Sequence, residues 1–450
     1  MTRVIITAIG SAGDVHPLLG IGAALAERGH EIVFCTHAPF ADAVTRRGFA
    51  FVPIGSAEEY AQAMANPALW HPRTSFRTLW AVIAPTLRSH FDTLRSLTTS
   101  DTVLVGTLWA FSARLMQELQ GVPFVSVQVS PSTLLSAHAP PTHPRLTIPR
   151  ALPLALKKAL MQLIERHALD TVCGPALNAL RAELGLAPAT RIFGNWLHST
   201  DGVLCLFPDW FAQPQADWPT PHRMSGFPLF NDALPDEPDT QLDAFLAAGE
   251  RPVVFTAGST LIDQAHYAQV VSATLRASGA RGILLRPDAA AAGSIASHVS
   301  DVLLERRYVP LRALLPRCRA LVHHGGVGTA ALAYAAGTPQ VVTPFAHDQF
   351  DNAQRVVASG CGVRLDGPIE ARRLTRALKQ VLGSPSIATQ CLRVHDRIAA
   401  SPDGSEVAAR YIESFMRADS RMRTDSGAVS PASNAVPMST STLALSGRNA

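Results

Sequence analysis

The sequence predicts an α/β protein of two Rossmann-like domains, and three observations carry that prediction. Short β-rich apolar runs alternate with longer helical patterns, the alternation is interrupted once and then begins again, and the chain is too long for one core. Alternation of this kind builds βαβ units and hence parallel sheets. The 450 residues exceed the roughly 150 of a typical domain. With 47% hydrophobic and 16% charged residues there is apolar surface for two buried cores, which excludes disorder for most of the chain.

The first domain is expected over 1–226, with strands at 4–9, 31–35, 51–53, 102–105, 124–127 and 202–206 and helices through 17–28 and 40–47. The apolar start is too short for a signal peptide and reads as a buried strand. A stretch rich in proline and acidic residues opens an interdomain linker, 227–250. The second domain, 251–404, has strands expected at 252–256, 281–285, 302–305, 320–323 and 340–343. A closing helix is expected at 405–417, and 418–450, poor in bulky apolar residues, reads as a disordered tail.

The net charge of +4 arises from 39 basic and 35 acidic residues scattered without a Lys/Arg block, which argues against nucleic acid as a partner. The six cysteines are far apart with no C-x-x-C spacing, and read as buried free thiols of a reducing cytoplasm. No run approaches the roughly 18 apolar residues of a membrane span. Residues 152–166 form a basic amphipathic pattern that suits either peripheral contact with the inner face of the cytoplasmic membrane or an ordinary surface helix.

Chemistry concentrates in two places. In His323-His-Gly-Gly-Val-Gly-Thr-Ala-Ala, a strand runs into a glycine-rich turn and a helix, so backbone N–H groups and the positive helix end face an anion such as phosphate. His323, at the strand end, can add a donor. In Gly10-Ser-Ala-Gly-Asp-Val-His-Pro17, the first strand gives way to the first helix. Asp14 and His16 there are the candidate general bases; an imidazole's ordinary pKa near 6.5 suits proton abstraction better than a carboxylate's near 3.9. Each residue also has a structural reading: Asp14 as a helix N-cap, His323 as a strand-end brace, Asp348 as a helix cap, Tyr308 as core. Their order and spacing together carry the functional one.

The block from His323 through Pro344-Phe-Ala-His-Asp348-Gln-Phe-Asp-Asn352-Ala resembles the donor-binding signature of nucleotide-sugar glycosyltransferases with two facing Rossmann-like domains and a cleft between them, the GT-B fold. The resemblance implies that His323, Gly325 and the N–H groups of Gly328 and Thr329 hold the diphosphate. It implies further that Asp348 and Gln349 bond the sugar hydroxyls while Asn352 braces their loop. Tyr308 would stack on the base where plant members place a tryptophan, with the Val309 backbone at the base edge. Ser259 and Thr260, after Gly258, match the family's serine turn near the phosphates. Asp14 occupies the position of the plant enzymes' catalytic histidine, as in the antibiotic-modifying branch, and is the implied base, with His16 as rival. No Asp-x-Asp is placed to hold a metal, so an inverting transfer without metal or cofactor is expected.

Five runs, 9–15, 128–138, 205–208, 226–230 and 346–353, are similar to the rhamnosyltransferase B subunits of bacterial rhamnolipid biosynthesis, a resemblance spanning about residues 3 to 400. It implies dTDP-L-rhamnose as donor, a 3-(3-hydroxyalkanoyloxy)alkanoate as acceptor, a mono-rhamnolipid biosurfactant as product, and a companion acyltransferase as the source of the acyl acceptor. Trp109, Phe111, Ser130 and Ser132 would then lie at the acceptor cleft, in the half that carries all six tryptophans. Two readings stay open. Transfer of another sugar to a macrolide or sterol would share every donor motif, and a non-catalytic accessory protein would share the fold.

Overall fold

The computed structural model describes residues 2–144, 148–230, 239–258, 263–286 and 301–425, with side chains as far as 416. Ser259 and Thr260 lie outside the described residues, as does the expected tail from 426 onward.

Two parallel sheets organise the chain. The first comprises β1 (Arg3–Thr7), β2 (Glu31–Thr36), β3 (Ala50–Pro53), β4 (Thr102–Gly106), β5 (Phe124–Gln128), β6 (Gly202–Cys205) and β7 (His222–Met224), in the order β3-β2-β1-β4-β5-β6-β7. The second comprises β8 (Val253–Thr256), β9 (Gly282–Leu285), β10 (Leu303–Arg306), β11 (Ala320–His323), β12 (Gln340–Val342) and β13 (Gly362–Arg364), in the order β10-β9-β8-β11-β12-β13. The expected strands are all present to within a residue or two. Missing from the expectation were β7 and β13, three-residue edge strands whose sequences His-Arg-Met and Gly-Val-Arg have no apolar run. Central strands such as β1, with Val4, Ile5 and Ile6 fully buried, are apolar without alternation because helices cover both faces.

Strand order reverses between β1 and β4 and again between β8 and β11, and ligands of doubly wound sheets bind beyond the strand C-termini at such switch points. The Gly10–Pro17 turn follows β1 and the glycine turn follows β11, so both motifs issue from switch points.

The domains are joined by an apolar seam. Phe207 and Phe211 of the first, with Phe227 at the start of the linker, pack with Val327, Ala330 and Tyr334 of the second; the Trp210 and Tyr334 rings meet edge to face at 5.2 Å. The 227–250 linker is not wholly irregular: Thr240–Ala247 is helical, capped by the Asp239 side chain. The closing helix spans Gly404–Asp425, continuing into the stretch expected to be tail. It returns to the first domain, where Arg28 bonds Glu406 at 3.0 Å and His30 lies 3.1 Å from Glu413. The chain therefore crosses between domains twice, and the crossings touch: a Cβ on Gly404 would come within 2.6 Å of the Phe227 carbonyl oxygen.

The basic amphipathic pattern forms helix Leu154–Ile164 and a wider turn Glu165–Leu169. No residue of that helix is fully buried, and Leu154, Leu156 and Leu163 are exposed. No described helix is long and apolar enough to cross a membrane.

Candidate active site

On the first-domain side, the helix after β1 begins at Ala12, before the expected Pro17, because a capping box captures its start. Ser11 is the N-cap, its hydroxyl accepts from the Gly13 amide, and the Asp14 Oδ2 accepts from the Ser11 amide at 2.9 Å. Asp14 is therefore the third helical residue rather than the N-cap. Gly10 is required above it: φ is +139°, and a Cβ there would stand 2.2 Å from the Asp14 Oδ2. Burial, with a smaller contribution from the negative charge of Asp348, pushes the Asp14 carboxyl up to about 7 against the Ser11 bonds. The two domains thus bring the two carboxylates within electrostatic reach of each other.

His16, the rival base, lies two residues on and so on another face of the helix. Its ring stands edge-on to Phe40 at 6.2 Å and Phe230 at 6.0 Å. Around the cleft, Tyr60 packs on His37 at 4.8 Å, and burial together with the Asp14 charge pushes its phenol up to about 12.

On the second-domain side, His323 is fully buried and both ring nitrogens are engaged. Nδ1 accepts from the Gly325 amide at 3.2 Å, so the proton sits on Nε2, which donates to Gln340 Oε1 at 3.0 Å. Burial holds this imidazole neutral, near 3. His323 braces the turn and is not the phosphate donor expected from the sequence; the strand's inward-pointing register places it in the interior.

His324 is the ring in the glycine cradle. A Cβ on Gly258 would lie 2.5 Å from its Cε1, and one on Gly326 2.6 Å from its Nε2. Its Nδ1 is buried with no protein partner, and burial keeps the ring neutral, near 4. Beside it starts helix Val327–Ala335, whose cap, Gly326, brings no side chain to the first-turn amides. A Cβ on Gly328 would meet open space, leaving the amides of Gly328 and Thr329 approachable. The signal for His324 was the adjacent His-His pair itself, within which sequence cannot tell inward from outward.

The Asp348 loop is held from within. Gln349, nearly buried, accepts on Oε1 from the Phe345 and Ala346 amides, each at 3.0 Å, so its oxygen serves the loop rather than a sugar. Asn352 donates to Asp348 Oδ2 at 2.8 Å and to the Gly325 carbonyl at 2.9 Å, the bracing expected of it. Burial raises the Asp348 carboxyl, against the bond from Asn352 and the nearby Ser130 hydroxyl. His347 adopts φ +52° and meets Trp70 of the first domain edge to face at 5.5 Å. Tyr308 is exposed and Val309 buried at the end of β10.

The acceptor expectations divide. Trp109 is half-buried and Ser132 partly accessible. Phe111 is core, fully buried against Trp80 at 5.1 Å and Trp196 at 5.7 Å, because it begins a helix lying on the sheet. Ser130, also buried, donates to Asn352 Oδ1 at 3.1 Å and so faces the donor loop rather than an acceptor.

Two parallel sheets, with a carboxylate at one switch point and an open helix N-terminus at the other, define the class of fold as GT-B. Residues 4–139 match the glycosyltransferase family 28 N-terminal domain, and 280–414 the erythromycin biosynthesis protein CIII-like C-terminal domain. Glycosyltransferase GtfC of Amycolatopsis orientalis is 31% identical over 436 residues, covering 91% of this chain and 97% of that protein. The vancomycin aglycone glucosyltransferase of the same organism is 28% identical, over 91% and 97%. The crystal structure of the glycotransferase of kitacinnamycin superposes with a TM-score of 0.71 at 22% identity, over 92% of this chain and 99% of that one. The chain belongs to this GT-B glycosyltransferase family and is a glycosyltransferase.

Proposed function

We propose that the chain transfers L-rhamnose from dTDP-L-rhamnose to the hydroxyl of a 3-(3-hydroxyalkanoyloxy)alkanoate with inversion, without a metal or cofactor, forming a mono-rhamnolipid. The observation that supports the chemistry best is Asp14: a carboxylate at the β1/β4 switch point, lifted to about 7 by burial and by Asp348. A base with this pKa is poised to take a proton near neutral pH. The acceptor oxygen forms its bond to the anomeric carbon as the bond to the diphosphate breaks, the acceptor proton passes to Asp14, and dTDP departs. The positive end of helix Val327–Ala335, the amides of Gly328 and Thr329, and the neutral His324 receive the leaving charge. Asp348 faces the sugar, Tyr308 and Val309 the base, and Trp109 and Ser132 the acceptor.

Donor and acceptor identity rest on the resemblance to the rhamnolipid B subunits, in which a companion acyltransferase supplies the acceptor. Exposed Leu156 and Leu163 beside Lys158 and Arg166 suit peripheral contact with the membrane that holds such a lipid. A second reading is favoured by the relatives' names: a sugar transferred to a natural-product aglycone. The test is incubation of purified protein with dTDP-L-rhamnose and the hydroxyacyl acceptor in EDTA, followed by mass spectrometry. Mono-rhamnolipid from the wild type supports the proposal; activity on aglycones alone moves the acceptor to the second reading, and activity lost in EDTA overturns the metal-free step.

A further inference from the structure

We infer that Ser130 is a positioning residue for the donor site: from the opposite domain, it orients the Asn352 amide, which in turn sets the Asp348 carboxylate. This rests on the reading of Asp348 as the residue that faces the transferred sugar.

The bonding pattern is directional. Asn352 is fully buried, so its amide must find its partners within the protein. Its Nδ2 faces two acceptors, Asp348 Oδ2 at 2.8 Å and the Gly325 carbonyl at 2.9 Å. A flipped amide would point its own oxygen at both, so Nδ2 is fixed on that side and Oδ1 on the other. The partner found there is the Ser130 hydroxyl, donating at 3.1 Å across 222 residues of sequence. Ser130 is held in turn: Pro131 follows it, its carbonyl accepts from the Thr133 hydroxyl, and Ser132 lies 3.3 Å from its oxygen.

The same first-domain loop makes a second tie, since the Thr142 amide donates to Asp351 Oδ1 at 2.9 Å. Asp351 also pairs with Arg355, whose guanidinium reaches the Phe211 carbonyl in the first domain at 3.0 Å. The carboxylate that meets the sugar therefore takes its orientation through a chain of donors that closes only while the domains are docked. Without the Ser130 hydrogen the Asn352 oxygen is buried and unpaired, and the amide is free to turn. The larger consequence falls on the sugar, because Asn352 meets the glycine turn only at the Gly325 carbonyl, while the Gly328 and Thr329 amides and the base site lie outside the chain.

The test compares affinities for intact dTDP-L-rhamnose and for dTDP alone, by calorimetry on the full chain, for Ser130→Ala, Ser130→Cys, Asn352→Ala, the Ser130→Ala/Asn352→Ala double variant and Asp348→Ala. Expected is a loss of about tenfold for the nucleotide-sugar in Ser130→Ala, the worth of one unmade bond, with a clearly smaller loss for dTDP. Ser130→Cys, with a weaker donor, should lie between it and the wild type. The double variant should be no worse than Asn352→Ala, as expected of two members of one chain. Equal losses for both ligands, wild-type affinities in Ser130→Ala, or additive losses in the double variant would overturn the inference. If Asp348→Ala loses the sugar and Ser130→Ala does not, the inference falls alone. If Asp348→Ala leaves both affinities unchanged, the reading of Asp348 falls and the inference with it.

Discussion

The two walls of the cleft handle polar groups differently. On the first-domain wall one carboxylate, Asp14, is buried and lifted out of its normal range, with its capping oxygen committed to the Ser11 amide. On the second-domain wall the polar residues of the motif mostly satisfy one another: His323 with Gln340, Gln349 with two amides, Asn352 with Asp348 and Gly325. The difference fits the tasks proposed for the two walls. A base must have a reactive proton affinity, which burial and a like charge supply at a cost in stability, whereas a site for a diphosphate needs backbone amides held rigidly in place.

Asp14→Asn breaks that comparison most sharply. Turnover should fall by about 10²–10⁴-fold while dTDP-sugar binding survives, measured by initial rates and calorimetry. The same variant should be more stable at pH 8. Asp14 holds its proton more tightly in the folded protein than in the unfolded chain, so its ionisation costs stability as pH rises from about 4 to about 7, and the cost is complete above 7. Asparagine removes that cost and keeps the cap. The melting temperature should thus exceed wild type at pH 8 and converge with it below pH 4.

Phe111 and Trp109, two residues apart, should separate packing from recognition. Phe111→Ala should cost about 3–5 kcal/mol of stability in denaturant titrations, with an unchanged acceptor KM in the folded fraction. Trp109→Ala should raise that KM with little change in stability. The adjacent histidines divide likewise. His323→Ala should lower stability by about 1–3 kcal/mol, because Gly325 and Gln340 lose their partner. His324→Ala should leave stability close to wild type and weaken dTDP binding by about tenfold.

The smallest effect joins the two walls. Removing the Asp348 charge makes ionisation of Asp14 easier, so Asp348→Asn should move the acid-side midpoint of kcat/KM downward from about 7. An unmoved midpoint in an otherwise active variant would show that the carboxylates do not sense each other.

Much of this was legible in the sequence, and the limits are physical. Uninterrupted apolar runs marked the central strands because those strands are buried on both faces; β7 and β13, pairing on one edge only, need no such runs. Glycine spacing marked the cradle because Gly325, at φ +99°, and Gly326, against the His324 ring, tolerate no side chain. The Gly-Asp turn marked Asp14, the proposed base, although the ordinary pKa of histidine made His16 a credible rival. Burial and Asp348, which correct that comparison, belong to the other domain or to the assembled cleft.

By itself, then, the sequence determined two parallel-sheet domains, the turns that meet at the cleft and the residue types that line them, because periodicity and glycine placement are local. Tertiary structure alone decided which of two neighbouring polar residues faces the ligand. Gln340 turns His323 inward, Phe40 and Phe230 flank His16, and Asn352 draws Ser130 away from the acceptor. A side chain's role at such positions is set by partners distant in sequence, and those partners exist only once the chain has folded.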